Sequence, residues 1–161
     1  MNKILDRNTL KNELDPLRKQ GKKIAFTNGC FDILHVGHVR YLREAKKTAD
    51  ILVLALNSDT SVKKIKGEKR PLVTQEDRAE IMAALEFIDF VTIFDETTPL
   101  ELINLLKPDV LIKGGDWAED KVVGRDEIKK WGGKLTLIPK INGKSTTSIV
   151  DKIRQVYSPT D

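Results

Sequence analysis

The sequence predicts an α/β fold of one domain, in which helices cover both faces of a parallel β-sheet. Short apolar runs alternate with longer segments of helical periodicity along the whole chain. The run 51–56 is apolar without alternation, which is typical of a strand buried on both faces. A length of 161 residues, 40% of them hydrophobic and 32% charged, suits a single globular domain with one good core.

The order of apolar runs and helical patterns predicts each element in turn. We expect strands at 23–26, 51–56, 91–94, 110–112 and 135–138. We expect helices at 10–20, 39–48, 76–87, 99–106 and 147–157. Thr74 precedes an acidic first turn and resembles an N-cap, and Pro99 suits the start of a helix.

The predicted alternation has a consequence for where a ligand binds. Right-handed crossovers place the carboxyl ends of parallel strands at one edge of the sheet, and open α/β sheets bind ligands there. We expect residues 1–21 to form an N-terminal helical extension, 22–157 the domain itself, and 158–161 a short tail.

Charge and composition exclude several classes of partner. The net charge of +4, from 28 basic and 24 acidic residues, is too small to indicate a nucleic-acid partner and suits a small anionic substrate. No run approaches the roughly 18 apolar residues that span a bilayer, and the first residues lack the apolar core of a signal peptide. The single cysteine permits no internal disulfide, so we expect a cytoplasmic protein without a membrane partner.

Both histidines fall within the ten residues 29–38, GCFDILHVGH. His35 and His38 flank Gly37 where a glycine turn leads from a strand into a helix, which is where α/β proteins hold phosphates. An imidazole donates a hydrogen bond to an anionic oxygen, and a small local shift of its pKa charges it. Glycine lets a ligand approach the backbone closely. We interpret the segment as a polyphosphate site.

Two other interpretations of the histidines remain open. A lone histidine near an apolar run usually packs in a core, although two at positions i and i+3 share one helical face. Zinc is the weaker alternative, because it takes three or four ligands and Cys30 has no Cys-x-x-Cys partner.

The motifs resemble those of a known superfamily. GCFDILHVGH matches every fixed position of the G-x-F-D-x-x-H-x-G-H signature of nucleotidyltransferases, the superfamily that includes the cytidylyltransferases. Residues 145–147, STT, match a second signature of that superfamily. The blocks 53–59, 66–71 and 112–116 resemble the adenylyltransferase half of bifunctional ADP-heptose synthesis enzymes. The resemblance runs from about residue 22 to 153 and implies the Rossmann-like nucleotidyltransferase fold.

The resemblance implies transfer of AMP from ATP to D-glycero-D-manno-heptose 1-phosphate, giving ADP-heptose and pyrophosphate for lipopolysaccharide or another surface polysaccharide. The attacking phosphate oxygen is already anionic, so catalysis requires positioning and charge stabilisation rather than a general base. Mg²⁺ would accompany ATP and bridge its phosphates. The two alternatives are a glycerol-3-phosphate cytidylyltransferase-type enzyme and a nucleotide-binding module without catalysis.

The resemblance also assigns the site residues. Catalytic roles fall on His35, His38, Lys64 and Lys66. Nucleotide-binding roles fall on Asn28, Gly29, Cys30, Phe31, Gly37, Arg78, Gly114, Gly115, Asp116, Ser145, Thr146 and Thr147. From their place after the second strand, we assign Asn57 and Asp59 to recognition of substrate hydroxyls or to fixing the neighbouring phosphate loop, and we assign no side chain to a metal. The expected partners are a nucleotide and a sugar phosphate, with a homodimer as the assembly. The bifunctional enzymes carry a sugar kinase ahead of this domain, so we expect a separate kinase to supply the substrate.

Several of these residues have a simpler interpretation. The basic run 63–70 lies in a predicted loop that either closes over the substrate or is only solvated surface. Arg78 either contacts phosphate or forms a surface ion pair with Asp77 or Glu80. Asn57 and Asp59 are alternatively caps of the next helix.

Five further positions complete the predictions. Asp32 orients the turn rather than reacting, because a carboxylate facing a triphosphate would repel it. Cys30 stands where cytidylyltransferases have threonine, and we assign it no catalytic role. Trp117 flanks the nucleotide and Trp131 packs at a helix end. Lys140 stands where glycerol-phosphate relatives often have arginine, so no role is carried over to it.

Overall fold

A computed structural model describes residues 2–115, 118–139 and 145–158. The strands are β1 (Ile24–Gly29), β2 (Ile51–Asn57), β3 (Phe90–Phe94), β4 (Val110–Gly114) and β5 (Lys134–Ile138). The helices are α1 (Arg7–Lys19), α2 (Val36–Lys46), α3 (Asp59–Lys66), α4 (Gln75–Ala83), α5 (Leu100–Leu106), α6 (Arg125–Lys129) and α7 (Thr146–Tyr157), with a 3₁₀ turn at Glu119–Lys121.

The five strands form one parallel sheet in the order β3-β2-β1-β4-β5. The chain builds the sheet outward from β1 to β3 and then crosses back to place β4 on the other side of β1. The carboxyl ends of β1 and β4 therefore flank the topological switch point, where such sheets form their ligand crevice. The predicted fold class is confirmed.

Two apolar cores lie on opposite faces of the sheet. Phe26 and Leu111 point into a core formed with α1, α5 and α6. Ala25 and Ile112, their neighbours along the strands, point into a core formed with α2 and α4. Alternate side chains of each strand thus point to opposite faces of the sheet. Because both faces are covered, a fully apolar strand such as β2 is expected.

The N-terminal residues pack on the same core as the rest of the domain. The helix α1 begins at Arg7, three residues earlier than predicted, because the Asp6 carboxylate accepts hydrogen bonds from the backbone N–H groups of Asn8 and Thr9. Leu10 and Leu14 of this helix are fully buried.

Two further predicted helix boundaries and one predicted loop are wrong. Residues 63–66 of the basic run predicted as a loop belong to the helix α3, which Ser58 caps through a hydrogen bond from the backbone N–H of Ser61. Basic residues occupy its last turn, where they complement the helix dipole. The helix predicted over 76–87 ends at Ala83. The helix predicted to start at residue 39 begins at Val36.

The region between β4 and β5 contains α6 and the 3₁₀ turn, neither of which was predicted. A five-residue helix is too short to leave a periodic pattern in the sequence. No helix in the described part of the chain combines the length and apolar character needed to cross a membrane.

Candidate active site

The two histidines form a stacked pair at the start of α2. His35 is the N-cap residue, with an extended backbone and no capping hydrogen bond from its side chain. His38 lies in the first turn, and its backbone N–H donates to the carbonyl of His35 at 2.9 Å. The two ring centroids are 3.7 Å apart with the planes inclined by 24°. The earlier start of α2 therefore places both imidazoles and Gly37 at a helix N-terminus, which favours anions.

Burial keeps His38 neutral. Loss of solvent, together with a smaller effect of the neighbouring His35, lowers the pKa of His38 to about 4. The shift is therefore in the direction that keeps this imidazole uncharged in the free protein. Its Nδ1 atom is buried and makes no hydrogen bond within the described residues. A neutral imidazole retains one N–H group that can donate to a phosphate oxygen.

The turn before α2 depends on a glycine. Phe31 has a φ of 44°, in the left-handed region, and its ring lies 4.9 Å from that of His38. A Cβ atom on Gly29 would lie only 2.7 Å from the Phe31 ring. Any side chain at Gly29 would therefore displace Phe31 and, through it, His38.

Asp32 joins this turn to the segment that follows α3. Its side chain is 1% exposed, and it accepts hydrogen bonds from Nε of Arg70 at 2.5 Å and from the backbone N–H groups of Leu72 and Val73 at 2.8 and 2.9 Å. Both carboxylate oxygens are thus engaged by the protein. These contacts agree with the interpretation of Asp32 as an orienting residue.

Arg78 is fully buried and holds the turn from the other side. Its guanidinium donates to the carbonyl of Cys30 at 2.5 Å, to the carbonyl of Val73 at 3.0 Å and to Oδ1 of Asp59 at 2.7 Å. The alternative of a surface ion pair with Asp77 or Glu80 is wrong, because the partner is Asp59. A phosphate contact by Arg78 stays a prediction.

Asn57 and Asp59 are both engaged by neighbouring protein groups. Asn57 is buried and its Nδ2 donates to Oγ of Ser61 at 2.9 Å. Asp59 pairs with Arg78. The alternative that either one caps α3 is wrong, because Ser58 is the cap. Recognition of substrate hydroxyls by these two side chains stays a prediction.

The two predicted catalytic lysines lie at the exposed end of α3. Lys64 and Lys66 belong to its last turn, and the helix ends at Gly67, which has a φ of 94°. Burial raises the pKa of the Cys30 thiol, whereas the charge of Lys66, first among the nearby cations, lowers it. Lys66 is therefore close enough to the turn to act on it electrostatically, and Cys30 remains a neutral thiol.

A cavity of about 550 Å³ separates His35 from α7. Ser145 caps α7 in a reciprocal arrangement with Ser148, so the STT signature forms a helix N-terminus that shares the cavity with His35. Thr146 and Thr147 occupy the first turn. A cavity of this size falls in the range of small-molecule sites, and two helix N-termini meet at it.

The end of β4 differs in part from the prediction. A Cβ atom on Gly115 would lie 3.2 Å from Cα of Pro139 and 3.3 Å from the carbonyl of Ile138. The close neighbour that requires this glycine is therefore the chain after β5. Gly114 ends β4. Asp116, Trp117 and Lys140 lie outside the described residues.

Trp131 and Lys113 show where sequence reasoning succeeded and failed. Trp131 packs against the core and donates from Nε1 to the carbonyl of Pro108 at 2.8 Å, which confirms its packing role.

Lys113, to which no role was assigned, lies at the carboxyl end of β4 and donates to Oδ1 of Asn28. Burial lowers the pKa of Lys113 to about 8. The signal that pointed to it was its place directly before Gly114 and Gly115 in the IKGGD block.

No group of three or more His, Cys, Asp or Glu side chains within the described ranges is placed to hold a metal ion. We therefore expect the divalent cation that accompanies ATP to bind chiefly to phosphate oxygens rather than to protein side chains.

Comparison with known proteins agrees with this geometry. The family model for cytidylyltransferase-like proteins matches residues 26–160. The chain is 54% identical over 155 residues to the bifunctional protein HldE of Geobacter metallireducens, covering 96% of this chain and 32% of that protein. It is 56% identical over 140 residues to the HldE of Geobacter sulfurreducens, covering 87% and 29%.

A solved structure has the same fold. The lipopolysaccharide core biosynthesis protein of Thermoplasma volcanium is 27% identical, with a TM-score of 0.63 over 77% of this chain and all of that one. The fold and the histidine site define a nucleotidyltransferase. The chain belongs to the cytidylyltransferase-like family. It spans about a third of the length of the HldE relatives.

Proposed function

We propose that this chain transfers AMP from ATP to D-glycero-D-manno-heptose 1-phosphate, releasing pyrophosphate and forming ADP-heptose for surface polysaccharide. The observation that carries the proposal is the stacked pair of His35 and His38 at a helix N-terminus, where His35 lines a cavity of about 550 Å³. The adenylyl and heptose specificity rests on the 53–59, 66–71 and 112–116 blocks and on the identity to HldE proteins.

The state of His38 supports a role in charge stabilisation. A pKa of about 4 makes this imidazole a weak base and keeps its N–H group available near neutral pH. Hydrogen-bond donors aimed at developing charge in a dry site are worth more than the same donors in water. His35, His38 and the N-termini of α2 and α7 would therefore stabilise the triphosphate as negative charge moves onto the pyrophosphate.

Magnesium would be held chiefly by phosphate oxygens of the nucleotide, where it neutralises charge. Asp32 is not free to bind it, because both of its oxygens already accept hydrogen bonds from the protein. Lys64 and Lys66 would approach the phosphates from the end of α3, and Arg70 anchors the segment after them to Asp32. We place the reaction in the cytoplasm, where ATP is available, and propose a homodimer.

One finding favours a second candidate. The matching family model is described as cytidylyltransferase-like, and a glycerol-3-phosphate cytidylyltransferase would use the same histidine site. The experiment is a pyrophosphate-release matrix of ATP, CTP, GTP and UTP with magnesium, against both anomers of heptose 1-phosphate and glycerol 3-phosphate. We expect ATP with heptose 1-phosphate to be turned over fastest.

The other outcomes separate the alternatives. A preference for CTP with glycerol 3-phosphate would reject the heptose proposal and keep the nucleotidyltransferase mechanism. If no pair reacts and ATP still raises the melting temperature, the chain is a nucleotide-binding module.

A further inference from the structure

The turn before α2 contains one residue in an unfavourable backbone conformation. Phe31 has a φ of 44°, in the left-handed region that residues other than glycine adopt at a cost. Such a conformation persists only where neighbouring contacts fix the backbone. Both neighbours of Phe31 are fixed by an arginine, because Arg78 donates to the carbonyl of Cys30 and Arg70 donates to the carboxylate of Asp32.

The carboxylate of Asp32 is held at both of its oxygens. Oδ1 accepts the backbone N–H groups of Leu72 and Val73, and Oδ2 accepts Nε of Arg70 at 2.5 Å. The side chain of Asp32 is 1% exposed, so water does not readily replace a lost donor. Arg70 therefore fixes the second oxygen, and with it the plane of the carboxylate beside Phe31.

The position of Arg70 is itself set by local structure. Gly67 ends α3, and the backbone N–H of Arg70 donates to its carbonyl at 3.1 Å, which closes a tight turn. Val73, which also binds Asp32, directly precedes Thr74, the N-cap of α4. The side chain of Arg70 is only 24% exposed. The guanidinium is therefore placed against Asp32 before any ligand arrives.

The ring of Phe31 connects this arrangement to His38. A Cβ atom on Gly29 would lie 2.7 Å from the Phe31 ring, so that ring is confined on one side. On the other side it contacts the His38 ring, with centroids 4.9 Å apart and planes inclined by 58°. Nδ1 of His38 makes no hydrogen bond within the described residues. Packing between the rings of Phe31 and His35 therefore orients the imidazole of His38.

We infer that Arg70 is a positioning residue for catalysis: through Asp32 it fixes the backbone of Phe31, whose ring holds the His38 imidazole in its direction toward the phosphates. This inference rests on the proposed function and adds to it a residue that acts without touching the substrate. Turnover depends steeply on the placement of a catalytic group, and a displacement of about 1 Å costs up to about 100-fold.

The test compares Arg70→Met, Arg70→Lys and Arg40→Met. Methionine removes the donor, whereas the ammonium of lysine lies one bond further from the backbone than Nε and can still reach Oδ2 of Asp32. We expect Arg70→Met to lower kcat by about 10- to 100-fold and to change the Kd for ATP, measured by calorimetry, by less than about twofold. Arg70→Lys should stay within about threefold of wild type, because it keeps a charge-assisted hydrogen bond. Arg40, an exposed arginine on α2, is the control and should have no effect when changed.

A second measurement does not depend on the reaction. The ¹H–¹³C signal of the His38 imidazole in the free protein senses the adjacent ring of Phe31. We expect this signal to move in Arg70→Met and to keep its wild-type position in Arg70→Lys and Arg40→Met. The substrates for kcat are whichever pair the wild type turns over in the release matrix. If no pair reacts, the proposed function fails and the His38 signal still tests the positioning.

Several results would overturn the inference. One is an unmoved His38 signal in Arg70→Met. Another is a lower melting temperature with unchanged kcat, measured where circular dichroism shows the variant folded, since the ion pair would then be structural only. Weaker ATP binding without rescue by lysine would make Arg70 a direct phosphate ligand instead.

A variant of the intermediate residue covers the case in which Arg70→Met does not fold. Phe31→Leu keeps the pair of Arg70 and Asp32 and removes the aromatic ring beside His38. We expect a loss of kcat of about 10-fold with unchanged affinity for ATP. A wild-type kcat in Phe31→Leu would show that the ring does not position His38 and would also overturn the inference.

Discussion

The two sides of the candidate site are built differently. The turn region, residues 29–32 with Arg70 and Arg78, is cross-linked by buried hydrogen bonds through Asp32 and Arg78. The α7 region faces it across the cavity, and none of the twelve residues of α7 is buried. Its apolar residues Ile153, Val156 and Tyr157 are 49%, 62% and 80% exposed.

The difference indicates a division of roles. A region that holds its donors in place before the ligand arrives loses little free energy in ordering them, which is the basis of electrostatic preorganisation. A helix with few buried contacts has low local stability and is suited to movement. Under the proposed function, we expect the turn region to hold its donors ready for the phosphates and α7 to tighten on the nucleotide. The predictions below test this contrast.

The largest expected effect is loss of stability in the turn region. Arg78→Met removes a fully buried cation and leaves Asp59 without its ion-pair partner. Breaking a buried pair costs about 3–5 kcal/mol, and because the Asp59 side chain is 33% exposed we expect the lower end of that range. Urea unfolding measures the change, and Arg40→Met, at an exposed site on α2, is the control. A loss below about 1 kcal/mol would show that the turn is not held in this way.

The next effect is on catalysis. His38→Ala should lower turnover by roughly 100- to 1,000-fold, because it removes a donor to developing charge. The melting temperature should change little, since Nδ1 of His38 makes no hydrogen bond within the described residues. Pyrophosphate release under saturating ATP measures turnover, and His35→Ala is the matched variant. Near-normal turnover in both would reject the histidine mechanism.

A smaller effect concerns pH. Burial lowers the pKa of His38 in the folded protein to about 4, below the value of about 6.5 for an unfolded chain. The unfolded chain therefore binds more protons than the folded protein between these pH values. The contribution of neutral His38 to the free energy of unfolding is full above pH 6.5 and is lost as the pH falls to 4. The loss is about 2–3 kcal/mol. The free energy of unfolding in urea should fall less between pH 7 and pH 4.5 for His38→Ala than for wild type. An equal fall for the two proteins would contradict the buried, neutral state of His38.

The basic end of α3 should affect binding without affecting stability. The double substitution of Lys64 and Lys66 by alanine should weaken ATP binding by about 1 kcal/mol and reduce its dependence on salt, because both residues are exposed. Calorimetry at two salt concentrations provides the measurement. A double substitution of Lys129 and Lys130, which are also exposed, is the control. If the wild type and both double variants bind ATP with equal affinity, the basic run is only solvated surface.

The smallest effect is expected on α7. Ile153→Ser should change the free energy of unfolding by less than about 0.5 kcal/mol without nucleotide, because the side chain is half exposed. Leu42→Ala in α2, where the side chain is fully buried, should cost about 2–5 kcal/mol. Similar losses at the two positions would show that α7 is as firmly packed as α2 and would remove the contrast.

Local patterns explain which elements were predicted correctly. The strand β2 is a continuous apolar run, and the start of α4 is marked by Thr74 and its acidic first turn. Both signals arise from residues within one turn or one strand. The same kind of signal is present for α3 in Ser58, but the sequence analysis considers Asn57 and Asp59 as caps and interprets the basic run as a loop.

By itself, the sequence determined the parallel α/β class, the grouping of the motifs at one sheet edge, and the placement of two histidines at a helix start, because periodicity, capping and order along the chain are local. Only the tertiary structure decided that the buried Arg78 donates a hydrogen bond to the carbonyl of Cys30, 48 residues away in the chain. It also decided that burial keeps His38 neutral and that Lys113 lies against Asn28. Burial and hydrogen-bond partners depend on how distant segments pack, and no local pattern specifies them.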